Sequence, residues 1–143
     1  MLPDYSCVWV KGENAMVRLW KECEGAENIV ISGHVRPDGD CVGSCMAAYL
    51  FLRKVMPKAR IKVFLEQPAD IFSCIQDFDK IETECSMEET PDVFIALDCE
   101  KTRLGAAETL FDKAKKKINI DHHISNASGC GDVNYVVTTA SSA

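Results

Sequence analysis

The chain has 143 residues, 47% hydrophobic and 27% charged, with a formal net charge of −6 and a pI near 5.0. That length suits one domain with a core that needs no staples, and no apolar run approaches the ~18 residues of a membrane span. The acidic balance argues against a nucleic-acid-binding surface by charge alone, unless some of the acids hold divalent cations, which reverse the local field.

The opening MLPDYSCVWVKGENAM has an early acid and no basic start before an apolar run, so it does not read as a secretory signal, and a cytoplasmic location is expected. Met16, Leu19, Trp20 and Cys23 form one stripe and predict a short helix over 14–23. NIVISG predicts a buried strand at 29–33. Val42, Cys45, Met46, Tyr49, Leu52 and Met56 recur at helical spacing, so a largely buried helix runs over 41–56 and stops at Pro57. RIKVFLE (60–66) is a second strand, and a short helix follows Pro68 over 70–77. Residues 82–92 are acidic without periodicity and read as a solvated loop. DVFIALD (92–98) is a third strand. Leu104, Ala107, Phe111 and Ala114 mark a helix over 103–116. KINI (117–120) and DVNYVV (132–137) complete the series.

Strands alternate with helices, and the strands are continuous apolar runs. This predicts an α/β fold: an open, Rossmann-like parallel sheet of about five strands with helices on both faces, whose ligands sit beyond the carboxyl ends of the strands. The cysteines at 7, 23, 41, 45, 74, 85, 99 and 130 include no CxxC pair and lie mostly in apolar segments. They read as free thiols in the core rather than as disulfides or a zinc site.

Three clusters of polar residues fall at carboxyl ends of predicted strands: His34, Asp38 and Asp40 after the first, Asp98 after the third, and Asp121, His122 and His123 after the fourth. All three histidines of the chain are among them. PDGD alone is a good turn sequence, Asp98 alone could cap a turn, and DHH alone is a weak signal. Together, four aspartates converging in one crevice repel one another unless a cation sits among them. Oxygen ligands mixed with imidazole suit Mn²⁺ or Mg²⁺, with Co²⁺, Fe²⁺ or Zn²⁺ as further fits, and two such ions are the machinery of phosphoester hydrolysis. Gly39 would let the chain bend between the acids. Gly43 and Ser44 are placed in the first turn of the next helix, where free N–H groups favour an anion or where small residues allow close packing.

GHVRPDGDCVGS, ALDCEKTRLG and IDHH resemble, in order and spacing, the first three motifs of the DHH phosphoesterase superfamily, over residues 28–143. The pattern is most similar to the NrnA-like oligoribonuclease and adenosine 3′,5′-bisphosphate phosphatase branch, with RecJ-type exonucleases and family II pyrophosphatases as relatives. The resemblance implies a DHH-type fold and a two-Mn²⁺ phosphoesterase. His34 and Asp38 would bind one ion, Asp40 and His122 the other, and Asp98 would bridge both. It further implies that His123 faces the scissile phosphate and that Asp121 orients the histidines. Arg103 takes a phosphate-binding or structural role. Arg36 is placed to meet a phosphate, or is simply an exposed loop residue. Implied substrates are short single-stranded RNA, linear dinucleotides or adenosine 3′,5′-bisphosphate. A non-catalytic metal- or nucleotide-binding module is the alternative, and pyrophosphate hydrolysis a third reading.

The family pattern continues past TTASSA with a fourth aspartate and a substrate-binding domain. The chain is therefore expected to be the N-terminal domain of a longer protein, or a fragment of that domain, with the C-terminal domain a partner in cis and a homodimer as a further expectation. Lys113, Lys115, Lys116 and Lys117 could contact RNA, but complementing a helix C-terminus is the simpler reading.

Overall fold

The computed structural model describes residues 19–143, together with the backbone of two short strands, β1 (Val8–Trp9) and β2 (Met16–Val17), paired antiparallel. A one-turn helix, α1 (Leu19–Glu22), leads into β3 (Asn28–Ser32). Then come α2 (Gly39–Val55), β4 (Arg60–Phe64), β5 (Ile81–Glu82), β6 (Val93–Leu97), α3 (Glu108–Lys113), β7 (Lys116–Asp121) and β8 (Val133–Val136). The last six strands form one parallel sheet in the order β5-β4-β3-β6-β7-β8.

Strand alternation divides the core between the two faces. Ile29 and Ile31 of β3 join Ile95 of β6 and the buried side of α2, which includes Val42, Met46 and Leu52. Val30 and Phe94 point the other way, onto Leu110 and Phe111 of α3. Phe94 and Phe111 meet edge to face with centroids 5.2 Å apart. Each of these large side chains, taken fully out of water, contributes about 1.5–3 kcal/mol. At Gly33 an added Cβ would collide with Cys41 Sγ and lie 3.1 Å from the Leu97 carbonyl, so glycine sets how closely α2 approaches β3.

Strands β3, β4 and β5 build outward in one direction. The chain then returns to place β6 on the other side of β3. The connections leaving β3 and β6 therefore part in opposite directions, which opens a crevice at the carboxyl ends of those two strands.

Several expectations change. The main sheet has six strands rather than about five, because Ile81–Glu82 pairs with Val63–Phe64 where a solvated loop was expected to begin. Of the helix expected at 14–23, Met16–Val17 is strand and only Leu19–Glu22 is helical; residues 14, 15 and 18 lie outside the described residues. The helix expected at 103–116 is broken by Gly105 at φ +59° into 3-10 turns (Lys101–Arg103, Gly105–Ala107) and the short α3. The one expected at 70–77 is a 3-10 helix, Asp70–Cys74, followed by Asp77 in the left-handed region. Trp20 packs on the core, while the Trp9 side chain lies outside the described residues. The seven described cysteines are free, with Cys23, Cys41, Cys45 and Cys99 buried as core residues. No described helix is long and apolar enough to cross a membrane.

The lysines near 115 serve the sheet. Lys117 Nζ donates to the Ala114 carbonyl just past the end of α3, and Lys116 Nζ pairs with Glu22 at 2.6 Å. Asp92, at the amino end of β6, accepts from the Glu27 and Asn28 N–H groups (3.0 and 2.9 Å) and from Lys115 Nζ (2.7 Å). Its own carbonyl accepts from Lys116 N. One residue thus pins the starts of β3, β6 and β7. The Lys115 bond, then the two backbone donors, hold its carboxyl down at about 2. A carboxyl lowered in the folded state contributes stability above its unfolded value and loses it as pH falls through the folded one. Asp92→Asn is therefore expected to cost about 1–2 kcal/mol at pH 7, allowing for partial solvent screening. The difference should shrink as pH falls below about 4 and be lost only below the folded value of about 2, as read by urea unfolding across that range.

Candidate metal centre

Each polar cluster reaches the crevice by a different local device. His34 follows β3 directly and is buried. Its Nδ1 donates to the Val35 carbonyl at 2.8 Å, which leaves Nε2 as the acceptor nitrogen. Arg36 then takes a left-handed conformation, φ +53°. Asp38 is the N-cap of α2: its Oδ1 accepts from Cys41 N at 3.0 Å, the main reason its carboxyl is held below the ordinary range. Asp40 lies in the first turn. The bend therefore belongs to Arg36 and Asp38. Gly39 has an ordinary helical place instead, with Phe72 3.5 Å from where its Cβ would be.

Asp98 ends β6 at φ +59°, a strained conformation that aspartate tolerates better than most residues. Its N–H donates to the Ile120 carbonyl (2.9 Å), so the neighbouring strand holds the turn. With the side chain only 2% exposed, the two carboxylate oxygens face different groups. Oδ2 lies 3.5 Å from His34 Nε2, which is itself 3.6 Å from Asp38 Oδ1. Oδ1 lies 3.1 Å from His122 Nε2, which is 3.1 Å from Asp40 Oδ2. His122 donates through Nδ1 to the Ala140 carbonyl at 3.2 Å, so its Nε2 also faces carboxylate oxygens. An imidazole nitrogen set between two carboxylate oxygens is satisfied by a proton or by a metal ion, so both donor sets suit divalent metal.

The DHH segment carries two imidazoles in different settings. Asp121, buried at the end of β7, takes His122 N (2.7 Å), His123 N (3.2 Å) and His123 Nδ1 (2.7 Å) on Oδ1, and Asn126 Nδ2 (2.8 Å) on Oδ2. Burial alone would push its carboxyl up; these donors outweigh it and hold it below the ordinary range. With Oδ1 saturated by donors, Asp121 is a support for the histidines rather than a metal ligand, although it lies within 4.8 Å of the other donor atoms. His123 is 38% exposed and holds its proton more tightly than usual, chiefly through the Asp121 bond, with the Arg103 charge opposing.

The remaining candidates sit at the rim. Ser44 is in the second turn of α2, not the first, and its hydroxyl faces Asp40 Oδ1 (3.1 Å) and the Ala143 carbonyl (3.0 Å). Asp38 takes one of the free N–H groups of the helix start, that of Cys41. Arg36 is exposed, its N–H bonded to Glu66 at 3.3 Å. The Arg103 carbonyl accepts from Val35 N (2.9 Å), and that bond clips the first loop to the third. Asn119 and Asn126 were not picked out from sequence. The signal available was an asparagine inside the apolar strand INID and a second one in the ISN that follows DHH.

A parallel α/β domain with paired histidine–carboxylate groups at its topological switch point is suited to hold divalent metal there. The chain belongs to the DHH family: the family's N-terminal domain matches residues 28–143. It is similar to the crystal structure of an exopolyphosphatase-related protein from Bacteroides fragilis, at 26% identity and a TM-score of 0.74 over 87% of this chain. The chain spans 38% of that protein's length. No curated protein matches it.

Burial first, then the Asp40 charge, push the Asp98 carboxyl up to about 6. The proton it carries below that pH stabilises the cation-free fold and must leave when a metal binds. Metal affinity is therefore expected to fall about tenfold per pH unit below 6. Mn²⁺ calorimetry at pH 7.5 and 5.0, in buffers of unequal ionisation heat, would read both the affinity and the proton release. Equal affinity with no proton released would contradict this account.

Proposed function

We propose that this domain is the catalytic part of a manganese-dependent phosphoesterase acting on short oligoribonucleotides, linear dinucleotides or adenosine 3′,5′-bisphosphate. The observation that carries the reading is the division of Asp98: one oxygen faces His34 and Asp38, the other His122 and Asp40. His34 and Asp38 would hold one ion, Asp40 and His122 the second, with Asp98 shared. Two divalent ions so held supply an acidified water and neutralise charge on phosphoryl oxygens.

The chain's own groups do the rest. Val35 and Ala140 carbonyls fix the imidazole tautomers so that Nε2 faces inward on both histidines. Asp121 fixes a proton on His123 Nδ1, which leaves the exposed imidazole to meet the phosphate and donate a proton to the leaving oxygen. Arg103, whose charge reaches His123, and Arg36 would bind phosphate oxygens. Ser44 helps to orient Asp40.

A second reading, hydrolysis of phosphoanhydrides, is favoured by the likeness to the exopolyphosphatase-related protein from Bacteroides fragilis. A fluorescent RNA dinucleotide and inorganic polyphosphate, each offered with Mn²⁺, separate the two. The first should turn over, chelator should stop it, and Asp98→Ala should lower both turnover and Mn²⁺ affinity by more than about 100-fold. An Asp98→Ala protein that binds Mn²⁺ like wild type would sink the shared-ligand role. Wild-type protein that binds Mn²⁺ and nucleotide without turning either substrate over would mark a binding module instead.

A further inference from the structure

A second polar cluster lies beneath the metal centre, between β6 and β7. Asn119 is completely buried in the middle of β7, where the pattern calls for an apolar side chain. A buried amide is costly unless every polar atom is bonded. Here every one is. Nδ2 donates to the carbonyls of Ala96 (3.2 Å) and Cys99 (3.0 Å), while Oδ1 accepts from Asn126 Nδ2 (2.8 Å) and Cys130 N (3.1 Å). This pattern permits one amide orientation, because a flipped amide would set its NH₂ against two donors. The other proton of Asn126 Nδ2 goes to Asp121 Oδ2 at 2.8 Å.

The two amides therefore join groups that are separate in sequence. Through Asp121 they hold the backbone of both histidines and the ring of His123. Through the Cys99 carbonyl they hold the residue that follows Asp98, the one with the left-handed backbone. The Asp98 Oδ1 to His122 Nε2 distance of 3.1 Å lies between these two attachments. A leucine in the same space would leave Cys130 N and Asn126 Nδ2 without this acceptor, so the amide is tied to both segments that it joins.

We propose that Asn126, anchored by Asn119, is a positioning residue that registers the DHH segment against the Asp98 turn and keeps Asp121 turned to the histidines. The inference rests on the two-cation reading of the site for its purpose, but its geometry is testable without any cation. The chain has three histidines, so ¹⁵N-histidine spectra of metal-free protein are simple to read. Wild type should show His123 protonated on Nδ1. Asn126→Leu, of similar size but without a donor, should shift the His122 and His123 nitrogen signals, leave the His34 signals in place, and weaken Mn²⁺ binding by about 10–100-fold. Asn126→Asp, of the same shape with an acceptor in place of the donor, should do likewise at pH 8, and it decides the matter alone if the leucine variant does not fold. Variants with wild-type histidine signals and Mn²⁺ affinity, changed only in Tm, would overturn the proposal and leave Asn126 a packing residue. A wild type that binds no Mn²⁺ would instead sink the two-cation reading, with the histidine spectra still deciding this one.

Discussion

The geometry of the site depends on one crowded carboxylate. Asp98 is buried at the switch point of the sheet, with Asp40 and Asp38 near enough to resist its ionisation. It cannot turn away, because its left-handed backbone is fastened to β7 through the Ile120 carbonyl. Its two oxygens are thus committed to two different imidazole–carboxylate pairs. Carboxylates buried this close together suit a site for positive charge.

The two aspartates that flank the five residues of β6 show the contrast. Asp92 at its amino end is met by two backbone N–H groups and a lysine, and its carboxyl is held low. Asp98 beyond its carboxyl end is buried beside the Asp40 charge and is pushed up. The side chains are chemically identical. Donors gather where the amino ends of parallel strands meet basic loop residues, so one edge of the sheet is cemented. Carboxylates and imidazoles gather at the other, so that edge suits a cation.

Hydrogen bonds that never reach the crevice give the histidines their different tasks. His34 and His122 each give Nδ1 to a backbone carbonyl and present Nε2 inward. His123 gives Nδ1 to Asp121 and stays half open to solvent. Asp121 in turn is bonded by Asn126, and Asn126 by the buried Asn119. Rigidity thus passes from the middle of the sheet to its edge through fully satisfied polar groups, as buried networks require.

The sequence by itself determined the alternation of buried strands and helices, because apolar runs and periodic stripes are local properties of the chain. It also determined that His34, Asp98 and DHH share one edge, because parallel strands send every carboxyl end the same way. Tertiary structure decided the rest. Whether Ile81–Glu82 is strand or loop depends on the exposed edge of β4, and Gly105 breaks a helix whose apolar stripe continues through it. The partition of the Asp98 oxygens, the capping duty of Asp38, the turn of Ser44 toward Asp40 and the buried amide pair all hinge on partners distant in sequence. Periodicity reports which face a residue occupies, whereas which atom meets which is settled only when the strands are laid side by side.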